Sequence, residues 1–398
     1  MKTVVLFSFK AQFRLLVFLF SPIILSSCSQ NNIEKHPPFR KLSEQISHQS
    51  NPSSHKKPET VHLKKGVNGF IKRKAAIKHH GIYLTEEFDP AKTPVLLVHG
   101  LLSDPTTWNK MVALLKEDQQ IREGFQFWFY SYPTSIPTIP SAAYFRKHLD
   151  AAVEMVEQEY SYSLKRKLIV VGHSMGGILA KSLISDSKDL LWDAAFKVPA
   201  SELELTQAQK DFVSEGFIFE PRDYVKSAIF IATPHRGSSL ANNIVGKIGT
   251  AFVSRPELIK DLARSLARQP SNKIQPEFKK FVSNKVNAIS TLKSDSPVTK
   301  ILADLPTDPE VSFHTISGVK GRRLGDGVVP ISSTFISKAR CECFLQSGHN
   351  VHEKELAIHL VKLLIAFEKN LIGQKEIADF IQKNSFIKAR LGKNVIIK

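Results

Sequence analysis

The chain has 398 residues, 42% hydrophobic and 23% charged, an ordinary balance for a globular protein that buries a sizeable core. Its 55 Lys and Arg outweigh 37 Asp and Glu, and the resulting formal charge of +18 points to an anionic partner, either nucleic acid or a membrane surface. The excess lies largely outside the stretch that patterns as a folded core, and no zinc-finger spacing or RNP-type motif occurs, so the balance favours a membrane and no nucleic acid.

Residues Met1 to Arg14 carry Lys2, Lys10 and Arg14 and no acid, and an apolar run from Leu15 to Leu25 follows, broken by Ser21 and Pro22. This is the pattern of an export signal, and the run is short of the about 20 residues that span a bilayer. It ends in Leu25-Ser26-Ser27-Cys28, which resembles the bacterial lipobox. The resemblance implies a signal peptide over 1–27, acylation of Cys28, and an exported, membrane-anchored lipoprotein, in the outer membrane if the source is Gram-negative. An ordinary secretory signal that happens to contain a cysteine is the alternative. Residues 28–85 read as a disordered basic tether. Ser29 to Pro58 is polar and cannot bury enough surface to offset its ordering entropy. Lys56, Lys57, Lys64, Lys65, Lys72, Arg73, Lys74 and Lys78 then face only Glu59, a band suited either to anionic headgroups or to plain solvent.

From about residue 86 to 370, strand and helix patterns alternate. Apolar or aromatic strands are predicted at Thr93 to Gly100, Phe125 to Tyr130, Leu168 to Val171, Ala228 to Thr233, Val311 to Ser317 and Cys341 to Leu345. Helical patterns lie at Thr106 to Leu115, Ser141 to Tyr160, beyond Ser174, and at Val351 to Lys369. Such alternation predicts a mostly parallel sheet covered by helices on both faces. Two insertions, near 187–226 and 234–310, interrupt it as helical caps, the second with amphipathic stretches at Asn242 to Val253 and Pro256 to Leu266. Residues 371–398 form a basic tail. Cys341 and Cys343 occupy alternate positions on one strand and read as two buried thiols, with a strained disulfide as the alternative.

The centre of the pattern is Gly172-His173-Ser174-Met175-Gly176, between a buried strand and a helix. Glycines at those offsets let strand and helix pass closely around a strained turn, which lifts the serine hydroxyl to a helix N-terminus that favours negative charge. A glycine-rich turn whose serine merely caps the helix is the bland reading.

With His99-Gly100 after the first core strand, this elbow is followed in order by A-T-P-H-R-G-S (232–238), G-D-G-V-V-P (325–330) and S-G-H-N (347–350). Together these motifs resemble the α/β-hydrolase superfamily, most closely its lipase and esterase branch, which includes triacylglycerol lipases and PGAP1-like acyl-ester hydrolases. The resemblance implies an α/β-hydrolase fold and a carboxylic ester hydrolase acting on an acyl ester, of lipid in that branch; with no His/Cys/Asp cluster at ligand spacing and no Gly-rich phosphate loop, the sequence calls for no metal or cofactor. The resemblance places the nucleophile at Ser174, the acid at Asp326 and the base at His349, with oxyanion donors at the backbone N–H groups of Met175 and Leu101. Asp326 also reads as a turn aspartate bonding its own backbone, with Asp295, Asp304 and Asp308 as competitors for the acid. His352 competes with His349, while His173 and His235 stand where the family carries non-catalytic residues. An acyltransferase using the same triad and a catalytically silent, surface-anchored interaction protein are the other functions compatible with these residues.

Overall fold

A computed structural model describes residues 40–41, 80–238, 257–283, 288–321, 325–384, 387–391 and 395–397. The signal peptide, Cys28, nearly all of the tether, and the amphipathic stretch at Asn242 to Val253 lie outside the described residues. Among the described residues no helix is long and apolar enough to cross a membrane.

The strands are β1 (Arg40–Lys41), β2 (Gly81–Leu84), β3 (Thr93–Val98), β4 (Phe125–Ser131), β5 (Leu168–His173), β6 (Val225–Ile231), β7 (Ser312–Val319), β8 (Cys341–Gln346), β9 (Ile387–Leu391) and β10 (Val395–Ile397). They form one sheet in the order β1-β2-β4-β3-β5-β6-β7-β8-β9-β10. From β4 to β8 the pairing is parallel, and β2 and β9 join the two ends antiparallel.

Alternation along each strand sorts the apolar side chains to two faces. Val95, Leu97, Phe127, Phe129, Ile169 and Val171 share one core cluster. Leu96, Val98, Trp128, Tyr130, Leu168 and Val170 share the other. The first face is covered by α1 (Asn109–Glu117) and α2 (Gln119–Gly124), the second by α3 (Thr138–Tyr160) and α4 (Met175–Lys181). Complete burial of a Phe or Leu side chain contributes roughly 1.5–3 kcal/mol, so both faces must be covered for such strands to persist.

Further along are α5 (Leu190–Ala195), α6 (Gln207–Phe217), α7 (Glu257–Ala267), α8 (Pro276–Ser283), α9 (Pro297–Asp304), α10 (Ile331–Thr334), α11 (Glu355–Glu368) and α12 (Gln374–Lys383). Helices α5 to α9 belong to the two insertions, which pack against each other over a shared apolar cluster that includes Trp192, Phe196, Phe217 and Phe278. Backbone bonds from Lys197 N–H to the Lys273 oxygen and from Gln275 N–H to the Ala195 oxygen, 3.0 and 2.9 Å, stitch the first insertion to the second. Lys181 of α4 donates to the Leu302 and Ala303 carbonyls, both at 2.7 Å, and so ties the end of α9 to the helix behind the elbow.

Element boundaries differ from the sequence expectation in ways that have local causes. The long helix α3 starts at Thr138 rather than Ser141, because Pro140 falls in the first turn, where a missing N–H has no acceptor to lose. Strand β6 runs over 225–231 rather than 228–233: Ser227 is buried despite being polar, and Ala232 turns the chain with φ 48°. The expected limits of the α/β domain, 86 and 370, both move outward. β2 pairs with β4, and the expected basic tail supplies α12, whose Ile377 and Ile381 enter the core, and β9, which extends the sheet beyond β8. Cys341 and Cys343 are free buried thiols with sulfurs 3.1 Å apart.

Candidate active site

Chain order along the sheet reverses beside β3: β4 lies on one side of it and β5 on the other. Ligands of open α/β sheets bind outside the carboxyl ends of the strands at such a switch point. The loop after β3, His99-Gly100-Leu101-Leu102, and the elbow after β5 therefore emerge side by side. The approach is close: a Cβ on Gly100 would stand 3.0 Å from the Ser174 Cβ.

Ser174 takes φ 53°, ψ −124°, a conformation that costs a non-glycine residue on the order of 1–3 kcal/mol. Its N–H donates to the Ile231 oxygen at 2.9 Å, which anchors the turn to β6. The crossing needs bare backbone. A Cβ on Gly172 would lie 2.5 Å from the Gly177 Cα, and one on Gly176 would overlap the carbonyl oxygens of Val98 and His99.

Ser174 Oγ lies 2.9 Å from His349 Nε2, and His349 Nδ1 lies 2.7 Å from Asp326 Oδ2. A carboxylate accepts only, so Nδ1 carries the hydrogen and Nε2 is left to accept from the serine hydroxyl. Asp326 is buried, and its other oxygen accepts from the N–H groups of Val328 and Val329, each at 2.7 Å. One oxygen thus makes the turn contacts while the other faces His349. Asp304 and Asp308 instead pair with Arg236 and Arg166, at 3.4 and 2.7 Å.

The other histidines are placed differently. His99 is buried with its pKa pushed down to about 4 by desolvation, against a backbone hydrogen bond at Gly100 that works the other way. His235 is buried against the edge of Phe230. His352 lies in the short turn Val351–Glu353 before α11, hydrogen-bonded to Thr107 at 2.9 Å. His173 packs between His349 and His352.

Met175 opens α4, where its N–H has no place in the helical ladder, and Leu101 follows Gly100 beside the serine. Sequence reading missed what holds the Leu101 loop. The Tyr132 hydroxyl donates to the His99 oxygen at 2.7 Å, its ring stacks on His99 at 4.4 Å, and Thr134 accepts from the Leu102 N–H at 3.2 Å. Leu102 itself sits at φ 61°. No local motif marks Tyr132 or Thr134, since each is defined by a partner some 30 residues away.

An apolar cavity opens between the start of α3 and the cap helices, lined by Ile139, Phe212, Phe217, Leu262, Phe278 and Val298 among others. Among the described residues no group of three or more His, Cys, Asp or Glu is arranged to hold a metal ion.

The chain belongs to the alpha/beta hydrolase family, whose profile matches residues 95–356. Among solved structures it is similar to a mature lipase of Bacillus licheniformis at 18% identity, covering 71% of this chain and 94% of that one with a TM-score of 0.40. An esterase of Rhodococcus sp. ECU1013 matches at 14% identity, 78% and 100% coverage and a TM-score of 0.37. A metagenomic carboxyl esterase matches at 12% identity, 71% and 77% coverage and a TM-score of 0.37. No curated protein matches the chain in sequence. The family assignment rests on the profile match.

Proposed function

We propose that the protein is a serine hydrolase that cleaves carboxylic esters through an acyl-enzyme. One observation carries the reading: residues 174, 326 and 349 form a continuous hydrogen-bonded relay at the switch point of the sheet, with the hydroxyl at a helix N-terminus. In the proposed reaction His349 Nε2 takes the Ser174 proton as Oγ attacks the ester carbonyl. Asp326 holds the imidazole in the accepting tautomer and stabilises its charged form. The N–H groups of Met175 and Leu101 serve as donors to the oxyanion. His349 then gives its proton to the leaving alcohol, and water, activated by the same imidazole, releases the acid.

Lipid is the substrate class we favour. The N-terminal pattern of an exported lipoprotein acylated at Cys28 and held at a membrane supports it. The test is fluorophosphonate labelling of wild type and Ser174→Ala, followed by turnover on p-nitrophenyl esters of increasing chain length and on phospholipids. Labelling of wild type alone, with turnover rising with chain length, is expected. Wild-type protein that neither labels nor hydrolyses any ester overturns the proposal and favours the silent interaction protein.

A further inference from the structure

His173, the last residue of β5, immediately precedes the proposed nucleophile, and the ester-cleavage steps make no use of it. Its ring is buried, with Nε2 3.0 Å from the backbone oxygen of His349. That oxygen can only accept, so Nε2 carries the hydrogen and donates it, and Nδ1 is the bare nitrogen. Among the described residues Nδ1 has no partner. Burial, reinforced by the neighbouring imidazoles of His352 and His349, holds the pKa of His173 well below the ordinary histidine value. The ring is therefore a neutral, single-hydrogen donor with one acceptor, packed at 3.9 Å from the His352 ring and 5.1 Å from the His349 ring.

What this bond joins sets it apart. The loop carrying His349 is tied to the β7 side of the site by the Ser347 N–H to the Val319 oxygen, 3.0 Å, and by the His349 side chain to Asp326. Neither contact fixes the base relative to β5, which carries Ser174. The serine–imidazole hydrogen bond spans that gap, but it exists only while Ser174 bears a hydroxyl. In the acyl-enzyme Oγ is esterified and has no hydrogen to donate, yet His349 must stay in place to take a proton from water. The His173 bond persists throughout, because it runs between groups that do not react.

We propose that His173 is a positioning residue, a strut from the nucleophile strand to the main chain of the base that holds His349 over the ester during deacylation. The proposal rests on the ester-hydrolase reading. Glutamine at 173 can place an amide N–H near the position of Nε2, whereas asparagine, one methylene shorter, places it near Nδ1 and out of reach of the His349 oxygen. The experiment compares His173→Gln with His173→Asn by steady-state and burst kinetics on p-nitrophenyl butyrate, alongside fluorophosphonate labelling of both.

His173→Asn is expected to lower kcat by about 10- to 100-fold, the cost of about 1 Å of misplacement, and to lower KM with it, so that kcat/KM changes much less. Because deacylation suffers more than acylation, a burst of about one p-nitrophenol per enzyme should precede its slow steady state. His173→Gln should recover most of the rate and lose the burst. Equal rates in the two variants, whether high or low, overturn the strut while wild-type labelling that vanishes in Ser174→Ala leaves the hydrolase reading standing. Wild type that neither labels nor turns over overturns both.

Discussion

Replacement of Asp326 by Asn tests the relay most directly, because the surroundings dictate how the new side chain lies. Two backbone donors, Val328 and Val329, point at Oδ1 from 2.7 Å, so the amide must present its oxygen to them. Its NH2 then faces His349 Nδ1, where two hydrogens cannot meet, and the imidazole shifts its hydrogen to Nε2. In that tautomer Nε2 has nothing to accept with, and Ser174 loses its base. The lost charge adds to this. Attraction between the carboxylate and the imidazolium that forms in the transition state, at roughly 4 Å and an effective dielectric near 20, is about 4 kcal/mol, or about three orders of magnitude in rate. With the wrong tautomer added, a fall in kcat of about 10³- to 10⁴-fold is expected. KM should barely move, since Asp326 is buried behind the imidazole, and the thermal midpoint should hold because both backbone bonds to Oδ1 survive. Initial rates on p-nitrophenyl butyrate for folded, monodisperse protein measure this. Activity within about tenfold of wild type would refute the argument, since a relay with a bare or misdirected imidazole cannot work at that rate.

The remaining expectations are separate in mechanism. Acid should destabilise the fold through His99: its folded pKa of about 4 lies below the unfolded value of 6.5, so between those pH values the unfolded chain binds the extra proton, and stability falls by up to about 3 kcal/mol as pH drops through that window. Urea titrations at pH 7.5 and pH 5 should show this, and His99→Gln should shrink the difference, leaving the shares of His173 and His235, whose buried rings are shifted the same way; an unchanged pH dependence in the variant would exclude His99 as a source. Gly176→Ala drives a methyl into the carbonyls of Val98 and His99 and should cost about 1–3 kcal/mol as overpacking, with loss of labelling at Ser174; a midpoint within a degree of wild type would mean the crossing is looser than its geometry. Cys28→Ala should abolish incorporation of radiolabelled palmitate in a bacterial host and release the protein from the membrane fraction; retention without acylation would transfer the anchoring role to the basic segments.

Much of this protein could be read from contiguous residues, because the forces involved act locally. Leu168 to Val171 is apolar on both faces, and only a strand covered on both sides accommodates it. Gly172 and Gly176 flank Ser174 at offsets that a strand-to-helix crossing demands of the backbone itself, so the elbow and the neighbourhood of Asp326 and His349 were already marked in the one-dimensional pattern. Where short-range and long-range preferences diverged, the linear reading slipped: β6 begins early because its buried Ser227 is invisible to a hydrophobic-run criterion, and residues 371–398 looked like a basic tail until Ile377, Ile381 and Ile387 found the core.

What tertiary structure alone decided is which polar groups share partners. His173 looks like filler in a motif, and becomes a donor to the His349 backbone oxygen only because a loop 176 residues downstream returns above it. Tyr132 and Thr134 carry no motif at all, and they brace the loop after β3 through bonds to His99 and Leu102. The mutual packing of the two caps around Phe196, Phe217 and Phe278 is of the same kind. Hydrogen bonds and aromatic contacts act over a few ångströms, and chain separation says nothing about that distance until the sheet has brought the strands together.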